Sequence, residues 1–159
     1  MSQGQQLLDE GRFDDALAWF ESHDDIRSRF GRAVALQLLG RFDQAEAAYE
    51  LVLAADPKHV ETLANLIAMN VEKFNLDLVE LYSNRLLGID SGSPIALRGL
   101  IVVAVERREY AVAARYFALL APGGENCRDA VEYRLSRRMV ERLKHHPLKD
   151  PHGSTAYPY

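Results

Sequence analysis

One six-residue phrase occurs twice in this chain, and its recurrence limits the possible folds more than any other feature. Gly11-Arg12-Phe13-Asp14-Asp15-Ala16 returns as Gly40-Arg41-Phe42-Asp43-Gln44-Ala45. The flanks agree, with Trp19-Phe20-Glu21 in the first copy matching Ala48-Tyr49-Glu50 in the second. A weaker echo spans Leu76 to Val79, and a better one Tyr110 to Ala113. Phe42, Leu76 and Tyr110 follow one another at 34-residue steps, while Phe13 stands 29 residues before Phe42. Self-similarity at a fixed period of this size marks stacked units, each burying its apolar face against its neighbours.

The units read as helix pairs. Ala, Leu, Glu, Arg and Gln favour helix, and alternating β-branched runs that would build a sheet are few. The periodicity predicts helices over about 3–10, 13–22, 25–39, 42–54, 58–72, 75–87, 94–107 and 110–120, with a ninth over about 127–144. Gly11 and Gly40 stand where a helix should end, since glycine accepts the left-handed conformation of a C-terminal cap. Asp56 before Pro57 and Ser93 before Pro94 read as N-caps followed by proline in the first turn. Ala16, Ala45 and Ala113 recur at one phase of each second helix and let neighbours approach closely, while Phe13, Phe42 and Tyr110 fill the gap at the turn. Pro122-Gly123-Gly124 reads as a linker. Beyond it Val131, Leu135, Met139 and Leu143 form one apolar stripe, with Arg134, Arg137, Arg138 and Arg142 largely off it, as a helix capping the array requires. Pro147 to Tyr159 shows no periodicity and is expected to be an unstructured tail.

A 34-residue helix pair resembles the tetratricopeptide repeat. Its best unit offers Ala33, Leu36, Gly40, Phe42, Ala45, Tyr49 and Asp56-Pro57 at the family's positions. The next offers Leu63, Leu66, Ile67, Leu76, Val79 and Leu86, but Asn70 and Ser83 replace the usual aromatic residues and Ser91 the usual proline. The last offers Leu97, Leu100, Ile101, Ala104, Tyr110, Ala113, Phe117 and Leu120; the first is truncated, with Gly4, Leu7, Gly11, Phe13, Ala16 and Phe20. The resemblance covers about residues 4–122. It implies an all-α, right-handed α-solenoid of antiparallel helix pairs: a truncated repeat (1–25), three repeats (26–59, 60–93 and 94–122), the capping helix (123–146) and the flexible tail (147–159), one domain overall.

The resemblance also implies a function. First helices of such repeats line a concave groove that holds other proteins. Carried over, the inward positions are Arg27, Phe30, Val34, Gln37 and Leu38, then Glu61, Ala64, Ala68, Val71 and Glu72, then Ile95, Arg98, Val102, Val105 and Glu106. Spacings of three and four put each set on one helix face. Such a surface, apolar with a rim of Glu and Arg, suits an amphipathic helix or an extended apolar segment. Two readings stand side by side: an adaptor or chaperone holding a foreign peptide, and a self-assembling scaffold or non-catalytic subunit whose groove is covered by its own cap, tail or second copy. A narrower likeness is to the small helical chaperones of bacterial type III secretion. Some family members clamp a terminal carboxylate with Lys, Arg and Asn. Here only Asn65 and Arg98 lie near such places and Gly31 and Gly99 take others, so that mode is not expected, and Asn65 reads as a packing residue.

Charge is distributed unevenly. Arg128 to Lys149 holds seven Lys or Arg against three Asp or Glu, a net of +4 in a chain of −4, which leaves −8 for the rest. An acidic body is the wrong partner for nucleic acid, whereas a basic end suits an acidic protein or a neighbouring copy. Cys127, the only cysteine, demands no oxidising compartment and has no nearby histidine to activate it. His145, His146 and His152 supply too few converging ligands for a metal, and His23 and His59 read as exposed or capping residues in connections. Asp14-Asp15 and Asp24-Asp25 sit at helix starts, where they favour the dipole. No phosphate loop, dinucleotide fingerprint, nucleophile elbow or zinc-protease motif is present. The expectation is a cytoplasmic, non-enzymatic protein-binding module with no cofactor, no metal and no membrane insertion.

Overall fold

A computed structural model describes the backbone of residues 1–124 and the side chains of residues 1–120. Eight helices and no strand lie within this stretch: α1 (Gln3–Asp9), α2 (Phe13–Glu21), α3 (Ile26–Leu38), α4 (Phe42–Ala55), α5 (Val60–Glu72), α6 (Leu76–Ile89), α7 (Pro94–Glu106) and α8 (Tyr110–Gly124). The predicted boundaries differ from these by a residue or two, except at the chain's last described helix. There α8 continues through Pro122-Gly123-Gly124, which had read as a linker. The expected ninth helix, tail, histidine cluster and Cys127 all fall outside the described residues.

The chain divides into two compact units, Met1–Leu100 and a second beginning at Ile101. In the first, consecutive helices pack as antiparallel pairs, α1 on α2, α3 on α4 and α5 on α6, and α2 on α3 and α4 on α5 join them into a continuous stack. Ala16 and Ala45, predicted to permit close approach, are wholly buried, as is Val79 at the same phase of α6. Tyr49, Leu63, Leu66, Met69 and Leu86 fill the interior between them. Phe42 differs from expectation: it is 37% exposed and closes its turn only partly. In the second unit Ile101, Val103, Ala104, Tyr110, Ala113 and Leu120 are buried.

Each first helix ends in the same way. The Gly11 N–H donates to the Leu8 carbonyl (3.0 Å) and the Arg12 N–H to the Leu7 carbonyl (2.9 Å). Gly40 and Arg41 repeat the pair on Gln37 and Leu36, Phe74 and Asn75 on Val71 and Asn70, and Arg108 and Glu109 on Val105 and Ala104. This pair of hydrogen bonds satisfies two orphan carbonyls and demands a left-handed residue at the stop. Gly11 and Gly40 meet that demand with φ of 74° and 73°; Phe74 (55°) and Arg108 (62°) meet it without glycine's freedom.

Helix starts vary more. Asp25 caps α3, accepting from the Ser28 N–H (3.0 Å) and the Ser28 hydroxyl (2.6 Å). These bonds hold the Asp25 carboxyl below its ordinary range. Ser93 caps α7 through the Ala96 N–H (3.5 Å), as predicted. Asp56 does not cap α5. It ends α4, and its carboxylate accepts from the Lys58 N–H (3.1 Å) in a tight turn. The cap of α5 is His59, whose Nδ1 accepts from the Thr62 N–H at 3.3 Å. An Asx turn competes with a cap for the same carboxylate, and here the turn wins.

Candidate functional site

The candidate surface is carried by α3 and α5, and a single buried phenol brings these helices together. Tyr49, on α4 and wholly buried, donates its hydroxyl hydrogen to Gln37 Oε1 on α3 (2.6 Å) and accepts from Asn65 Nδ2 on α5 (3.0 Å). Burial pushes this phenol up to about 12, the bond from Asn65 pulling weakly the other way. Near the helix starts, the Phe30 ring of α3 lies 5.0 Å from the His59 ring that caps α5 and 6.0 Å from Tyr49. Tyr49 of α4 thus bridges α3 and α5, and one ring contact links Phe30 to the cap of α5.

None of the expected groove residues is buried in the core. On α3, Arg27 is exposed, Phe30, Val34 and Gln37 are half-buried, and Leu38 is 50% exposed. On α5, Glu61, Ala68 and Glu72 are exposed while Ala64 and Val71 are half-buried. Ile95 is exposed and Arg98 half-buried at the end of the first unit. Val102, Val105 and Glu106 belong to the second unit, where each is half-buried. Phe30 and Gln37 already have partners inside the protein, so the apolar face left for another molecule on α3 and α5 comes from Val34, Leu38, Ala64, Ala68 and Val71. Asn65 has the packing role expected of it, but through Tyr49, a partner 16 residues away.

Sequence reasoning did not find a second feature, two adjoining clefts of about 360 and 410 Å3 bounded by α2, α3 and α4. Glu21, Arg32, Ala48 and Leu51 border both, and Leu51 is 59% exposed. Ion pairs cross there, Arg32 with Glu21 and Arg41 with Asp14, each at 3.7 Å. Leu51, exposed on α4 beside Ala47, Ala48, Ala54 and Ala55, is the one local signal that pointed there. Elsewhere Lys73 joins Asp43 (3.2 Å) and Glu46 (2.9 Å), bonds that raise its own pKa, with Glu46 the larger influence.

Both perturbed phenols move away from neutrality: Tyr82, buried and donating to Glu50, rises further than Tyr49. Among the described residues no three His, Cys, Asp or Glu side chains converge as metal ligands. Among them also, no helix is long and apolar enough to cross a membrane.

Comparison with known proteins agrees with the helical-repeat fold. The family model described as tetratricopeptide repeat matches residues 1–22 and 26–50. A tetratricopeptide repeat protein from Parabacteroides merdae superposes with a TM-score of 0.71 over 89% of this chain at 22% identity. This chain spans 56% of that protein's length. The MamA RS-1 double mutant superposes with a TM-score of 0.68 at 14% identity, covering 89% of this chain and 92% of its own. MamA of MSR-1 gives 0.64 at 18% identity, covering 90% and 88%. No curated protein sequence matches the chain. At these identities the likeness is one of fold.

Proposed function

From the premise that this chain is built of tetratricopeptide repeats, which are general protein–protein interaction modules, we propose that the α3–α5 face holds a helix or extended segment of another protein. The observation that carries the reading is the fate of the apolar residues on this face. Val34, Leu38, Ala64, Ala68 and Val71 stay outside the core while their neighbours Ala33, Leu36, Leu63 and Ile67 are buried. Apolar side chains left at one surface mark a place where another molecule is buried. Each well-covered Val or Leu contributes about 1.5–3 kcal/mol before ordering costs. Holding is then burial without chemistry, the work of an adaptor or chaperone with no catalytic group and no cofactor. Arg27 and Glu61 stand at one end of the face and Glu72 at the other, where they select the orientation of a charged partner. Arg98 of the first unit belongs to the same proposal, and Val102 and Val105 of the second unit are proposed separately as apolar contact residues on α7.

The test is capture of partners from native lysate by the wild type, by Ala68→Arg and by Leu51→Arg, with circular dichroism confirming equal helicity. A partner lost from Ala68→Arg and retained by Leu51→Arg supports the α3–α5 face. Loss only from Leu51→Arg places binding at the α2–α4 clefts and sinks the proposal.

A second reading has its own support in the charge distribution, −8 for the body against +4 for residues 128–149. Under it, copies pair through these opposite charges. Light scattering should then show oligomers that dissociate between low and 0.5 M salt, because screening acts over about 10 Å or less above 0.1 M. A monomer at every salt and protein concentration removes this reading.

A further inference from the structure

Three seams between successive repeats are equivalent in position but differ in content. Phe20 of α2 lies against Gly31 of α3; Tyr49 of α4 meets Asn65 of α5; Ser83 of α6 meets Gly99 of α7. The first seam sets a large ring on a glycine, and a Cβ at Gly31 would overlap the ring. The second closes with a phenol whose hydroxyl has two partners. At the third both residues are small. A Cβ at Gly99 would stand 2.5 Å from Ser83 Oγ, and that wholly buried hydroxyl has no hydrogen-bond partner among the described residues.

Two further liabilities fall on the same helix pair. Asn70, wholly buried on α5, donates through Nδ2 to the Leu66 carbonyl (2.9 Å), but its Oδ1 is unpaired among the described residues. Phe74, the stop between α5 and α6, holds φ at 55° while its ring is 60% exposed, so packing repays little of the strain. The α3–α4 pair carries none of the three: its stop is Gly40, and no buried side-chain atom in it is without a partner.

We propose that the α5–α6 pair is a built-in opening point, unfolding locally as a unit while α3–α4 stays closed. Unpaired buried polar atoms and a strained stop are lost when this pair opens, so the open state is favoured there selectively. The inference stands on packing alone and survives if the α3–α5 face binds nothing.

Native-state hydrogen exchange on the full chain tests it. Amides of α5 and α6 should share one opening and exchange at least tenfold faster than the slowest amides of α3 and α4. Ser83→Ala removes the unpaired hydroxyl and should slow exchange in α5–α6 about fivefold or more, leaving α3–α4 unchanged. Phe74→Gly, at an exposed site that tolerates the change, should act in the same direction. Equal protection across the four helices overturns the proposal. So does unaltered or faster exchange in both variants, which would mean that these groups are satisfied where they stand.

Discussion

Phe20 shows how tightly single atoms constrain this stack. Its buried ring is held between Gly4 of α1 and Gly31 of α3, and a Cβ on either would overlap it. Gly31→Ala should therefore destabilise the protein by about 1–3 kcal/mol in urea titration, the usual result of overpacking. Phe20→Leu in the same chain should recover part of the loss, because the two changes share one space and cannot be additive. Tyr49 makes a different prediction. The folded protein holds its phenolic proton to about pH 12, whereas an unfolded chain releases it near the ordinary 10.0. The stability this supplies is intact below pH 10 and is lost as pH rises towards 12, at up to about 1.4 kcal/mol per pH unit. Tyr49→Phe should make that alkaline limb shallower, leaving the part due to Tyr82, and, by removing the bonds to Gln37 and Asn65, cost about 1 kcal/mol at neutral pH. Identical alkaline limbs in the two proteins would show that Tyr49 does not govern it.

Helix ends carry the lesson at the scale of elements. All four first helices stop with the same pair of backbone bonds, yet glycine occupies only two of the stops. Gly40 has open space around the position of a Cβ, so Gly40→Ala isolates the backbone effect. It should cost about 1–2 kcal/mol, measured by thermal or urea unfolding, with no change in contacts to explain it. The two glycine stops were legible in the sequence because glycine announces a left-handed residue. Phe74 and Arg108 were not, although they stand 34 and 68 residues beyond Gly40, since neither residue type advertises positive φ. Asp56 misled for a related reason. A carboxylate before proline suits both a cap and an Asx turn, and only the course of the chain from α4 into α5 shows that Lys58 takes it.

Across the whole molecule, charge and apolar pattern set expectations that structure then sorts. Exposed ion pairs such as Arg12 with Asp15 (2.7 Å) and Arg29 with Asp24 (2.8 Å) hold no buried charge. Their contribution is about 0–1 kcal/mol each. The midpoint of urea unfolding should therefore move little between 0.1 and 0.5 M sodium chloride, even if self-association responds strongly. A large fall in midpoint would show that these pairs carry more of the fold than their exposure implies.

By itself the sequence determined the eight helices of the described residues, their order and the repeat period, because these follow from local propensity and from a period of apolar residues written into the chain. Only the tertiary structure decided which distant groups satisfy one another. Gln37, Tyr49 and Asn65 meet across 12 and 16 residues, Phe20 finds its seat on two glycines, and Ser83 Oγ and Asn70 Oδ1 find no partner among the described residues. Periodicity says which side of a helix is buried. Whether a buried ring clears a neighbouring backbone, or a buried hydroxyl reaches an acceptor, is settled by distances of a few ångströms between elements that no local pattern encodes.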